Sequence, residues 1–236
     1  MTPITTDIFA VDLALYIPSI ATAVMSDFHF GYEESLTRQG LLVPRQQFRR
    51  TMERLEYIFT RIKPRIIVLN GDLKHEFGHI TRQEWNDTTK LIEYLLQRCE
   101  KLIIVKGNHD VILGPIASRK IIELVKEYRD GTYLIVHGDE IPTLSGVKTI
   151  IIGHDHPAIT LRDKGKYEKF KCFLKGPYKR RILIATPAFN VLTEGSDIMK
   201  EHTLSPFLQG SLSDFEVWAI PEAEKVLYFG RLRNLV

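Results

Sequence analysis

The sequence predicts an α/β fold in which two mixed β-sheets pack face to face between helices, a four-layer α-β-β-α sandwich. Three observations lead there. Short apolar, β-branched runs recur along the 236 residues, and continuous runs of this kind read as strands buried on both faces. Amphipathic helical patterns separate the first few runs. The second half is richer in strands, and sheets covered by helices are the layered way to bury such elements.

Taken in order, TAVMS (22–26) reads as the first buried strand. PRQQFRRTMERLEYIFTRI (44–62) reads as a helix, because Phe48, Met52, Leu55, Phe59 and Ile62 recur at spacings of three and four and Pro44 suits a first turn. RIIVLN (65–70) is the next strand. Thr81 and Glu84 form a capping box ahead of a helix carrying Leu91, Ile92, Leu95 and Leu96. KLIIVK (101–106) is a strand, and a third helix is expected over about 116–128. TYLIVH (132–137), KTIIIG (148–153) and RILIAT (181–186) are strands. FEVWAI (215–220) and KVLYFG (225–230) follow, with Pro221 and Glu222 in the turn between them. No repeat, low-complexity stretch or linker interrupts the pattern, so 1–236 is expected to be one domain with a basic, β-rich insert at about 158–182.

Hydrophobic residues make up 44% of the chain and charged residues 26%, the balance of a soluble globular protein. No apolar run approaches the ~18 residues of a membrane span. The first residues lack a basic region and carry Asp7 and Asp12 within their apolar part, unlike a signal peptide. The expected location is the cytoplasm, away from any membrane. Cys99 and Cys172 imply neither a zinc site nor a disulfide framework. The net charge is +3, yet nine Lys or Arg face two acids between Arg162 and Arg181. A basic segment on an otherwise acidic body suits a polyanion or a solvated hairpin.

Polar residues collect at the strand ends. TAVMS runs into Asp27-Phe28-His29, RIIVLN into Gly71-Asp72-Leu73-Lys74-His75, and KLIIVK into Gly107-Asn108-His109-Asp110. TYLIV ends at His137-Gly138-Asp139, and TIII at Gly153-His154-Asp155-His156. Ligand sites in open α/β sheets lie outside the carboxyl ends of strands. Imidazoles at i and i+2 of an extended segment face one side and can converge. Carboxylates, imidazoles and an amide without thiolate suit Mn²⁺, Fe or Zn²⁺. The donors are too many for one ion with open positions, but two ions ~3.5–4 Å apart sharing a carboxylate would use them all. Gly71, Gly107 and Gly153 precede these donors, where the backbone must turn or approach closely.

The ordered set D-x-H, G-D-x-x-H, G-N-H-D, H-G and G-H-x-H, between residues 27 and 156, resembles the calcineurin-like metallophosphoesterase family. DFHFGYE (27–33) and GDLKH (71–75) are similar to motifs of the SbcD-type repair nucleases. GLLVPRQQ (40–47) and ATPAFNVLTEGSDI (185–198) are similar to small archaeal and bacterial phosphoesterases related to them. The resemblance implies a metallophosphoesterase-type sandwich and two divalent ions, Mn²⁺ first, with Fe or Zn as alternatives. It implies that Asp27, His29 and His156 hold one ion, that Asn108, His137 and His154 hold the other, and that Asp72 bridges them. His109 would stabilise the phosphate or protonate the leaving oxygen, with Asp110 orienting it and Asp155 fixing a histidine tautomer. His75 would contact phosphate or support a neighbour.

The implied activity is phosphodiester hydrolysis, as a nuclease acting on DNA in repair, with Lys169, Lys171 and Lys175 tracking the phosphate backbone. A small-molecule phosphatase or cyclic-nucleotide phosphodiesterase is the alternative, and a non-catalytic interaction scaffold the third. A homodimer and a DNA-repair partner protein are implied only by analogy with the nucleases. Tyr32 and Glu33 read as loop packing and salt bridging, His79 and His202 as surface residues, and Trp85 and Trp218 as core or interface.

Overall fold

A computed structural model describes residues 1–76, 80–110, 122–163 and 165–235. The first sheet contains β1 (Thr2–Pro3), β2 (Phe9–Val11), β3 (Ala14–Ile17), β4 (Thr22–Ser26), β5 (Ile66–Asn70), β6 (Lys101–Val105) and β7 (Ile122–Val125), side by side in that order. Helices α1 (Tyr32–Arg38), α2 (Gln47–Arg61) and α3 (Arg82–Leu96) belong to its connections. The second sheet contains β8 (Glu127–Asp130), β9 (Tyr133–Val136), β10 (Thr149–Ile152), β11 (Pro157–Asp163), β12 (Lys166–Tyr178), β13 (Arg181–Ala185), β14 (Ser196–Asp197), β15 (Glu216–Glu222) and β16 (Lys225–Arg231). Its main path runs β14-β11-β12-β13-β10-β9-β8, with β15 and β16 added beside β12. Both sheets are mixed. β4 to β7 are parallel behind an antiparallel β1–β3 edge, and β9, β10 and β13 form a parallel centre in an otherwise largely antiparallel sheet.

The alternation of side chains along the second sheet assigns its two faces. Ile135, Ile151 and Ile184 join one apolar core with Val24, Val68, Ile103 and the α2 and α3 residues Leu55, Ile58, Leu91 and Leu95. Their neighbours Leu134, Ile150, Ile152 and Leu183 face the opposite way, into a second core with Phe207, Leu208 and Phe215. Successive residues of a strand point to opposite faces, so both are buried only when a sheet is covered on both sides. Helices cover the first sheet. Among the described residues, the cover on the far face of the second sheet is a turn-rich segment around 198–215 rather than a helix.

The remaining departures are local. Residues expected in a third helix instead form β7 and β8, while 116–121 lie outside the described residues. Ile122 pairs with Leu102 and Val125 with Val105, so an open β6 edge overrides the local helical spacing. β1 to β3 and α1 are too short to stand out by periodicity. Helix α2 begins at Gln47, three residues after Pro44, because the buried Glu33 carboxylate accepts from the backbone N–H of Gln47 at 2.6 Å and from that of Gln46. The Thr81–Glu84 capping box of α3 is present in full.

Candidate metal centre

The parallel registers place three strand ends level. Ser26 lies opposite Asn70, and Asn70 opposite Val105, so Asp27, Asp72 and Asn108 leave the first sheet at one edge. From the second sheet β9 delivers His137 and β10 delivers His154. The segment after β13 ties the two edges together. Thr186 bonds Ser26 through their hydroxyls at 2.7 Å, and the N–H groups of Phe189 and Asn190 donate to the carbonyls of Ser26 and Asp27 at 2.7 and 3.0 Å. Phe28 stacks on Phe189 with ring centres 4.5 Å apart.

Two donor groups result. In the first, His29 Nε2 is 3.2 Å from His156 Nε2, and His156 Nε2 is 3.7 Å from Asp27 Oδ1. In the second, His137 Nε2 is 3.0 Å from His154 Nδ1 and 3.1 Å from Asn108 Oδ1. One oxygen, Asp72 Oδ2, stands 3.6 Å from His29 Nε2 and 3.4 Å from His137 Nε2, and so belongs to both. Metal–donor bonds of ~2.1 Å put neighbouring donors ~3.0–3.4 Å apart in octahedral or tetrahedral shells. The donors therefore sit at or slightly beyond the spacing that two cations would impose. Asp27 Oδ1 is buried without a hydrogen-bond partner among the described residues, a cost that a cation removes.

The backbone is bent to reach this arrangement. Asp27, His29, Asp72, His154 and His156 all have positive φ, between 46° and 70°. Non-glycine residues rarely adopt this region, and clusters of them mark functional sites. His154 and His156 are thus not on an extended segment. Their left-handed turns, rather than strand pleating, send one ring to His137 and the other to His29. Glycines permit the approach at two points. A Cβ on Gly71 would lie 2.0 Å from His137 Nδ1, and one on Gly107 would lie 2.1 Å from Asp72 Oδ1.

Burial, with the Asp27 charge second, raises the Asp72 carboxyl to about 9. Burial, reinforced by the neighbouring imidazoles, pushes His29 well below the usual histidine value. A centre that holds His29 and His137 below the usual histidine value and crowds its carboxylates is arranged for cations, because neutral imidazole and ionised carboxylate are the ligating forms.

His109 sits at the mouth of the centre. Its N–H donates to Asp72 Oδ1 at 3.0 Å, its Nε2 lies 3.9 Å from Asp72 Oδ2, and its Nδ1 faces the His75 carbonyl at 2.5 Å. Burial takes its imidazole down to about 4. The His75 ring stacks with that of His109 at 5.9 Å and meets Tyr32 edge-on at 4.9 Å.

Two expected supports act elsewhere. The Asp110 carboxylate accepts from the Leu73 and Gly107 N–H groups at 3.0 and 3.1 Å, so it braces the two ligand loops, while the His75 carbonyl faces the His109 ring. Asp155 accepts from the backbone N–H groups of Leu204 and Ser205, which ties down a distant loop instead of a histidine ring. The basic segment also differs from expectation. Lys171 donates to the Ala188 carbonyl at 2.7 Å and to that of Asn190, and Lys175 pairs with Glu216 and the Ile4 carbonyl. Lys169 reaches Glu201 at 3.4 Å. Their ammonium groups serve the protein's own oxygens rather than an open groove. His202 is exposed, Trp218 is buried, Trp85 is partly exposed, and His79 lies outside the described residues.

Sequence reasoning missed the residues that hold the first motif in place. Gln47 Nε2 donates to the Phe28 and His29 carbonyls, both at 2.9 Å, and to Asn190 Oδ1 at 3.2 Å. Glu84 closes its capping box and also accepts from the His75 and Glu76 N–H groups at 3.0 and 2.8 Å. The capping box marked Glu84 and the GLLVPRQQ stretch (40–47) contained Gln47, but neither showed that the side chain reaches the first motif.

The sequence profile of the family described as calcineurin-like phosphoesterase matches residues 20–149, more than half of the chain. No curated protein sequence matches. Among solved structures, a nuclease MPE from Pseudomonas putida matches with a TM-score of 0.66 and 18% identity over 94% of both chains. Yfce, a phosphoesterase from E. coli, matches at 12% identity over 87% of this chain and 95% of its own, with a TM-score of 0.40. A Vps29 double mutant from Entamoeba histolytica matches at 11% identity over 89% of this chain and 99% of its own, with a TM-score of 0.34. No helix among the described residues is long and apolar enough to cross a membrane.

Proposed function

The chain belongs to the calcineurin-like phosphoesterase family, and from that premise we propose that it is a two-metal phosphodiesterase that cleaves DNA as a nuclease. The observation that carries this reading is Asp72 Oδ2, one oxygen within 3.6 Å of both His29 Nε2 and His137 Nε2. In it Asp27, His29 and His156 hold one divalent ion, and Asn108, His137 and His154 hold the other. Asp72 is common to both. An O/N donor set without sulfur suits Mn²⁺, with Fe or Zn as alternatives. When bound, such ions supply positive charge to a phosphate and acidify water near neutral pH.

The protein's part is placement and proton control. Donors fixed by left-handed turns cannot relax inward. His109 keeps its Nδ1 hydrogen on the His75 carbonyl, which leaves Nε2 facing the centre. The ring is neutral until an anionic phosphate oxygen arrives. That charge raises its pKa, so the ring gains a proton as substrate binds and delivers it to the departing oxygen. Asp110 acts indirectly, by keeping the Gly107 and Leu73 turns in register. The fold of the P. putida nuclease, shared over nearly the whole chain, supports a polynucleotide over a small diester as substrate.

The test is to strip metal with chelator and assay bis(p-nitrophenyl) phosphate, p-nitrophenyl phosphate and a single-stranded oligonucleotide before and after adding Mn²⁺. The diester and the oligonucleotide are cleaved only with the ion, and the monoester slowly or not at all. Preference for the monoester refutes the diesterase assignment, and metal-independent turnover refutes the centre.

A further inference from the structure

Resting on the nuclease reading above, we propose that the cleft between α1, α2 and α3 is a track for single-stranded nucleic acid leaving the metal centre, with Arg45 and Arg82 on backbone phosphates and the Leu41–Leu42 tip against base faces. The cleft has a volume of about 570 Å³. Four cations line it: Arg45, Arg49, Arg82 and Lys90. Among the described residues neither Arg45 nor Arg82 has a carboxylate within ion-pair reach, and both are exposed. Lys90 lies over the Phe48 ring at 5.7 Å, and Arg49 reaches Glu53 only at 4.0 Å. Four cations against Glu33, Glu34 and Asp87 leave the cleft with a surplus of one positive charge, carried on exposed arginines without contact ion pairs, and such a surplus attracts a polyanion.

The acids in the same cleft offset them only in part. Glu33 is turned to the backbone N–H groups at the start of α2, and Glu34 pairs with Arg38 at 2.9 Å. Asp87 is raised by burial, bonded to Gln83, and close enough to Lys90 and Arg45 to feel both charges without a contact ion pair. By contrast Lys169 and Lys175 pair with Glu201 and Glu216, and Lys171 is taken up by two carbonyls, so these three lysines are less open to a polyanion than Arg45 and Arg82.

Position and shape complete the case. Two of the helices that border the cleft are anchored at the catalytic mouth: α1 starts at Tyr32, whose ring touches His75, and α3 is pinned to His75 and Glu76 through Glu84. α1 spans seven residues, about 10 Å at 1.5 Å per residue, or one to two nucleotides of extended strand. At its far end Leu42 is 98% exposed and Leu41 53% exposed, between Gly40 and Pro44. Arg45 is three residues from Leu42, within about 10 Å along the chain. Apolar side chains flanked by arginines match base faces flanked by phosphates.

The probe is a fluorescein-labelled 12-nucleotide single strand, followed by anisotropy in EDTA so that binding is read apart from hydrolysis. R45E/R82E is expected to weaken binding at least tenfold. It should also flatten the slope of log affinity against log salt by about 1.4, from ~0.7 for each of two phosphates no longer neutralised on a single strand. L42S is expected to weaken binding about threefold without changing that slope, because stacking carries no counterions. With Mn²⁺, R45E/R82E raises KM for the oligonucleotide while kcat/KM for bis(p-nitrophenyl) phosphate stays within twofold. Unchanged oligonucleotide binding overturns the track, as does an equal loss on both substrates. A variant that loses only its binding to phosphatidylserine vesicles shows a lipid surface and likewise overturns it. Should wild-type protein bind the strand through these residues but cleave nothing with Mn²⁺, the track stands and the nuclease reading falls.

Discussion

Replacing Asp72 with asparagine separates what the bridging carboxylate costs the metal-free fold from what it contributes to the loaded one. Without cations the Asp72 carboxyl is buried beside Asp27 and holds its proton far above the ordinary carboxylate range. The folded state therefore carries one more proton at this residue than the unfolded chain does between an ordinary carboxylate pKa of about 4 and the raised value. Stability then falls as pH rises through that window, at up to ~1.4 kcal/mol per unit for one proton. From pH 7 to 8.5 the loss is about 2 kcal/mol, or about 4–8 °C in Tm at ~2–4 °C per kcal/mol for a chain of this length. The histidines held low are neutral in both states across this range. Lys171, lowered to about 7 by burial, contributes with the opposite sign, because its unfolded form keeps a proton to higher pH, but it does so in wild type and variant alike. The amide of the D72N variant can keep the Oδ1 acceptor for the His109 N–H and has no proton to lose. In EDTA, D72N should therefore already melt above wild type at pH 7, by the roughly 4 kcal/mol lost between pH 4 and 7 or about 8–16 °C, and the gap should widen by a further ~4–8 °C at pH 8.5, by circular dichroism. With Mn²⁺ the order reverses, since wild type gains binding energy that the amide cannot supply. A D72N penalty of equal size at both pH values in EDTA would show that Asp72 is ionised in the metal-free fold and refute the reasoning.

H109N should lower kcat on the oligonucleotide, whose alkoxide must be protonated, by ~10²–10⁴, the range for a positioned acid or base. It should lower kcat by far less on bis(p-nitrophenyl) phosphate, whose p-nitrophenolate departs without a proton, while Mn²⁺ affinity by calorimetry stays near wild type; a large fall in affinity would make His109 a ligand instead. G107A puts a Cβ 2.1 Å from Asp72 Oδ1, so bound Mn²⁺ per chain, read by atomic absorption, should fall sharply; full occupancy would contradict the tight approach. K171M removes the donor to the Ala188 and Asn190 carbonyls and should cost ~1–3 kcal/mol in urea unfolding, with no change in the salt dependence of oligonucleotide binding. A change in that dependence would return Lys171 to the phosphate surface.

The parts of this molecule that could be read from the sequence are those in which one residue's neighbours along the chain decide its role. TIII before Gly153 is a strand because β10 is buried on both faces, and the capping box closes because Thr81 and Glu84 are one turn apart. The five motifs could be read for a similar reason: each donor follows directly after a strand. What stayed hidden depends on residues far apart. Gln47 holds His29 from α2, Lys171 crosses to a loop beyond β13, and the Arg45–Arg82 cleft exists only once α1, α2 and α3 come together. Charge counting along the chain picked out Lys169 to Lys175 because they are dense in sequence. It could not see that Glu201 and Glu216 would pair with Lys169 and Lys175 and that two carbonyls would take up Lys171.

The same contrast explains why the centre does not collapse on itself. Five residues in left-handed conformations cost of order 1–3 kcal/mol each, and a fold does not keep such strain unless its surroundings over-determine it. The surroundings do so here through bonds made by the backbone of the strained segments. The Asp27 N–H donates to Gly71 and its carbonyl accepts from Asn190, while the His29 N–H donates to the Asp72 carbonyl and the His154 N–H to Asp27 Oδ2. The Asp27 and His29 turns are held by main-chain partners, while the Asp27 and Asp72 carboxylates hold the His154 and His109 N–H groups, so it is the imidazoles at the centre that are free of structural duty. A centre built in this way tolerates loss of a ligand's imidazole better than loss of a backbone partner. H156A should thus fold with near-native Tm in EDTA and fail to retain metal, whereas Q47A, which touches no candidate ligand's side chain, should lower Tm and metal retention together. If Q47A left both unchanged, rigidity in the first motif would have to come from somewhere other than its backbone bonds.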